Sequence, residues 1–181
     1  PTRRSRPVGQ DAAGCETELV PIDQNCCAGE PEIRVPEPAA SCPTGRLLRV
    51  GRNERGFGRI DNCHHLRLFS SGQGNAGHLQ FNVEARCIDT GGAVRLSTRL
   101  ETSTRILVDS AQFLDSLVDR GDGFFAERGV FVLLPTTAPP QVEGDEALLT
   151  VRLTDAAGVV LEHRLRVVLT TSTLPDLAEL E

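Results

Sequence analysis

From about residue 46 onward, apolar and polar residues alternate along the chain. In LQFNVEARCID (79–89), Leu79, Phe81, Val83, Ala85 and Cys87 share one face, while Gln80, Asn82, Glu84 and Arg86 share the other. A period of two predicts a half-buried strand. The alternation returns in AVRLSTRLET (93–102), with Val94, Leu96 and Leu100 inward, and the intervening DTGG predicts a tight hairpin between the two runs. RLLRVG, HLRLFS, RILVD, GVFVLLP and ALLTVRLTD supply further strands. VVLEHRLRVVLT follows the turn DAAG and predicts a closing antiparallel hairpin, with Leu161, Leu165, Val167 and Leu169 on one side. About eight short strands separated by turn signals point to a sandwich or barrel. One stretch departs from the period. In DSAQFLDSLVDRGDG, Phe113, Leu114, Leu117 and Val118 stand at helical spacing, with Asp109 or Ser110 to cap the start and Gly121 the end. This predicts one short helix over about 110–120.

The hairpin LTVRLTDAAGVVLEHRLRVVL (149–169) resembles the closing strands of bacterial immunoglobulin-like domains. The resemblance implies a fold and no catalytic residue. The Cys…Trp…Cys arrangement of antibody domains has no counterpart, because the chain contains no Trp. The expected architecture is therefore all-β: an immunoglobulin-like antiparallel β-sandwich over 44–171, one short helix, a disulfide-rich extended N-terminal arm over 1–43, and a short tail over 172–181.

The arm is rich in Cys and Pro and lacks periodicity, so it cannot build its own core. Six cysteines, Cys15, Cys26, Cys27, Cys42, Cys63 and Cys87, form an even set suited to full pairing. Cys26 and Cys27 are adjacent, and a bridge between them would distort the intervening peptide. They are expected to reach two different partners. Cys87 lies in phase with buried positions, which suits a bridge to Cys63 or to the arm. No C-x2-C pair exists to suggest a zinc site, and no C-x-x-C-H to suggest haem. This cysteine usage implies an oxidising location: secreted, periplasmic or on the cell surface.

Composition narrows the function. The formal charge of −6 disfavours nucleic acid as a partner. The exception is the cationic terminus PTRRSRP, which reads as a solvated end. No apolar run is long enough to cross a bilayer as a helix. All 19 basic residues are Arg, a sign of GC-rich coding and a bacterial source. The absence of Trp and Tyr removes the flat amphipathic surfaces on which sugar-binding faces rely.

Candidate chemistry is sparse. NCHH (62–65) could offer Cys63, His64 and His65 to a metal, but adjacent strand residues point to opposite faces. His163 falls in phase with Leu161 and Leu165, and is expected to be a hydrogen-bonded histidine at the rim of the core. DRGDG and EGDEA are acidic loops explained by turn chemistry. Arg120–Asp122 spell RGD, a tripeptide too short to carry weight. G-x-S-x-G and H-E-x-x-H are absent from the sequence, and SSGQGNAG lacks the helix that a phosphate loop requires. The chain is expected to have no catalytic, cofactor or metal residues. Its expected role is a structural or interaction subunit of an extracellular assembly, meeting a protein partner or a second copy through the arm or the sheet edges. A ligand- or metal-binding module is the alternative. An enzyme built on a spatial grouping of His163, Asp122 and a serine ranks below it.

Overall fold

The computed structural model describes residues 32–34, 42, 45–54, 56–70, 77–115, 117–134 and 141–172. These are nearly all β, with almost no helix. Eleven strands follow one another: β1 (Glu32–Arg34), β2 (Leu47–Glu54), β3 (Gly56–Arg59), β4 (His64–Ser70), β5 (Gly77–Arg86), β6 (Val94–Thr102), β7 (Ile106–Leu114), β8 (Val118–Asp119), β9 (Phe124–Leu134), β10 (Glu146–Thr154) and β11 (Val160–Ser172). Hydrogen bonds link them into one open sheet in the order β3-β2-β5-β4-β11-β10-β6-β7. β9 joins the other edge of β5, β8 joins β9, and β1 joins β11. β2 also lies against β11, and β7 against β9, although neither pair shares a ladder. Leu48, Val50, Phe81 and Val83 from one end of the strand order thereby join Leu96, Leu100, Leu107 and Val108 from the other, with Leu149, Val151, Leu161 and Leu165 between them, in a single apolar cluster.

All eight strands legible from alternation are present. Leu79, Phe81, Val83 and Ala85 of β5 are buried, as are Val94, Leu96 and Leu100 of β6. The closing hairpin also forms, with Leu149 opposite Leu165 and Leu153 opposite Leu161.

Four expectations fail. First, the segment expected to be a helix is the edge strand β7, followed by a turn and β8. β7 pairs with β6 from Val94↔Leu114 to Leu100↔Val108, so the ladder satisfies the inner edge of its backbone. Of the supposed helical stripe, Leu114 is buried, while Phe113 and Val118 are 64% and 61% exposed. Tertiary pairing overrode a short local pattern.

Second, DTGG does not close a hairpin. β5 pairs with β2, β4 and β9, whereas β6 pairs with β7 and β10. The turn is a crossover between the two ends of the strand order. Third, the sheet is not purely antiparallel: β4 and β11 run parallel, from His64↔Val167 to Phe69↔Ser172. Fourth, Cys87 leaves the phase of β5: it adopts φ 59° just past the end of the strand and is half-buried rather than turned into the core, although its bond, to Cys42 across 45 residues, reaches one of the partners expected for it.

Candidate functional site

β5 has strands on both sides, and its outward row runs His78, Gln80, Asn82, Glu84, Arg86. Alternation alone predicts a solvated row. Instead Asn82 and Glu84 are each only 3% exposed, because the row is built over from both ends.

At one end, aromatic rings cross three strands. Phe69 of β4 is the register partner of His78, and the two rings stack with centroids 5.3 Å apart. Phe131 of β9 meets the other side of His78 at 4.7 Å in a tilted arrangement. Leu133 is the register partner of His78 on β9. Burial against these groups lowers the His78 pKa. The outer members stay open, Phe131 at 42% and Leu133 at 51%. The Arg67 guanidinium lies 5.9 Å from the Phe69 ring and bounds the apolar band.

In the middle, Asn82 ties β2 to β9. Its Nδ2 donates to Arg52 O at 2.6 Å, and its Oδ1 accepts from Gly129 N at 2.9 Å. The β5–β9 register slips here, between Phe81 and Val83, and Gly129 adopts φ 66°. This is a bulge whose exposed donor is satisfied by a side chain.

At the far end, Arg49 and Arg86 lie 4.7 Å and 5.3 Å from the Phe124 ring centre. Buried Glu84 takes an ion pair from Arg120, whose own N–H donates to Phe124 O at 2.9 Å. The RGD tripeptide therefore sits in the exposed β8–β9 turn rather than at a helix end. Asp122 Oδ1 caps Phe124 N at 3.1 Å, and Asp119 Oδ1 caps Gly121 N at 2.8 Å.

β9 borders this face. β8 pairs with Phe125 and Ala126 alone, and no described strand pairs with the outer edge of Gly129–Leu134. Val130, Val132 and Leu134 turn inward, Phe131 and Leu133 outward, and no residue of this run is charged.

The residues singled out in the sequence are dispersed. Cys15, Cys26 and Cys27 lie outside the described residues, as do the glycine-rich loop 71–76 and the tail from 173. Cys42 and Cys87 form a disulfide with Cα atoms 5.8 Å apart. Cys63 is buried at φ 63°, and its N–H donates to Arg166 O at 2.9 Å. His64 Nδ1 lies 3.2 Å from Arg52 Nη2. Among the described residues, no three His, Cys, Asp or Glu side chains gather to hold a metal.

His163 differs from expectation. It is 1% exposed, and neither ring nitrogen has a hydrogen-bond partner among the described residues. Burial, reinforced by Arg59 and opposed by Asp61, pushes its pKa down to about 4. No hydrogen bond joins it to Asp122. The EGDEA loop is a turn, as read: Asp145 N donates to Val142 O at 3.0 Å and Gly144 N to Leu169 O at 2.8 Å. A groove of about 530 Å³ lies beside the end of β7, lined by Thr90, Val94, Phe113, Leu114, Asp115 and Leu117.

The sequence pointed to sulfur and histidine, and the organised surface lies elsewhere. Its signal was present in GVFVLLP, whose apolar residues occupy both phases of a strand with Phe131 and Leu133 left over for the solvent side. Comparisons with protein-family models and with curated protein sequences find no match.

Proposed function

We propose that this chain is a non-enzymatic interaction subunit of an extracellular assembly, built as an immunoglobulin-like β-sandwich and secreted or held at a cell surface. The carrying observation is the apolar band of Phe69, His78, Phe131 and Leu133 beside Gly129–Leu134 of β9, whose outer edge no described strand pairs with. Contiguous exposed apolar surface next to free backbone donors and acceptors is costly to leave in water and suits a protein partner. The sandwich reading is supported by the single apolar cluster that joins both ends of the strand order. The Cys42–Cys87 bridge favours an oxidising compartment.

Light scattering after size exclusion, combined with electron microscopy of material from the source cells, tests the reading. The chain is expected inside a larger particle. A strictly monomeric chain that joins none overturns the role, and six free thiols by non-reducing peptide mapping overturn the compartment.

A further inference from the structure

We infer that β9 pairs with β9 of a second copy, antiparallel and centred on Val132. This rests on the reading of the chain as an interaction subunit and names its partner.

The register follows from the residues. Centring on Val132 places Phe131 opposite Leu133 of the second copy on the outward face, and Val130 opposite Leu134 on the inward face. Every pair is apolar, and a two-fold axis makes the contact self-complementary. Outward residues of paired strands share one face. The two Phe69–His78–Phe131 bands thus become one continuous strip across the junction.

Charge selects this edge. Each copy carries −6, so copies repel one another at a distance. The edge strand β7 carries Asp109, and the edge strand β3 carries Arg59. Gly129–Leu134 carries no charge and no Pro, the residues with which exposed edges are ordinarily protected. Two such copies meet here without opposing like charges. The paired run is short beside a standard interface of about 1,600 Å². The association is therefore concentration-dependent. Because the contact is apolar while the molecules repel, added salt strengthens it.

Sedimentation equilibrium of the full oxidised chain over a wide concentration range, at low and moderate salt, tests this. The average mass is expected to climb from 19.5 kDa toward twice that value, and at lower concentration when salt is raised. Phe131→Lys and Leu133→Glu change outward side chains, and each is expected to weaken association at least tenfold. The double variant sets the introduced lysine of each copy opposite the introduced glutamate of the other, in both halves of the junction, and is expected to regain association. Circular dichroism confirms that each variant is folded. A mass fixed at 19.5 kDa at every concentration overturns the proposal, as do undiminished association in both single variants or a double variant weaker than either. If the monomeric chain still enters a larger native particle, the pairing fails while the interaction role stands.

Discussion

The Asp155 carboxylate accepts the backbone N–H of Asp89 through Oδ2 at 3.1 Å, while Asp89 O accepts the N–H of Ala156 at 3.0 Å. This reciprocal pair ties the β5–β6 crossover to the β10–β11 hairpin, two turns 66 residues apart in the chain. Asp155 is 4% exposed, and its Oδ1 also takes Ala157 N at 3.0 Å and Val159 N at 2.8 Å. Asp155→Ala would leave three donors without their acceptor. The expected loss is about 3 kcal/mol, read as a shift of the urea midpoint. Asp155→Asn keeps one acceptor oxygen and is expected to lose about 1 kcal/mol. Equal loss in the two variants would show that the side chain acts by packing alone.

Asn82 and Gly129 make a second joint. Gly129→Ala forces a Cβ into φ 66° and is expected to cost about 1–2 kcal/mol. Asn82→Ala removes the acceptor for Gly129 N and the donor to Arg52 O, with an expected loss of about 2 kcal/mol. Because both changes act on one bulge, their effects are expected to be less than additive in denaturant titrations. Full additivity would show that the side chain does not hold the bulge.

The strands that could be read were those that alternate. Leu79–Ala85 and Val94–Leu100 place apolar side chains at every second position, so burial was written in the period. β3 was illegible because Gly56–Arg59 has too few apolar residues to show a period. Its Phe57 ring packs over Gly51, where a Cβ would lie 2.7 Å from the ring, so the missing side chain is what admits it. β7 was misread because a short apolar cluster fits a helix as well as a strand. Its pairing with β6 is a long-range fact that no local window contains. The same limit hid the outward face of β5, since the burial of Asn82 and Glu84 depends on β8, β9 and Arg120. The bond between Cys42 and Cys87 was one of several pairings that the spacing permits.

That bond closes a loop with a sequence separation of 45. Constraint of the unfolded chain by a loop of this size is worth roughly 4 kcal/mol. Cys42→Ala/Cys87→Ala is expected to lower unfolding stability by about that amount with little change in the far-ultraviolet spectrum, since no ladder depends on the sulfurs. A urea midpoint within error of the parent chain would show that the bridge constrains nothing.

His163 and Glu162, neighbours in β11, both weaken the fold as pH falls, each over its own window. Glu162 is buried on the outward side, and burial alone would push its pKa up. The hydrogen bond and charge of Arg152, with the charges of Arg164 and Arg34, carry it net below the usual carboxylate value. Its stabilisation is present above the ordinary Glu pKa and is lost as pH falls through the lowered one. His163 acts at higher pH. It is neutral when folded down to about 4, whereas the unfolded chain protonates it near 6.5. Between those values the unfolded state binds the proton that the folded state refuses, so stability falls with falling pH across that window and levels off beneath it. The size is on the order of 3 kcal/mol. His163→Leu removes from the core two nitrogens that have no partner among the described residues, and is expected to raise stability and to flatten the slope between pH 6.5 and pH 4. Urea midpoints of the parent and variant chains at several pH values across that interval measure this. A slope that survives the substitution would assign the acid response to Glu162 and the other carboxylates instead.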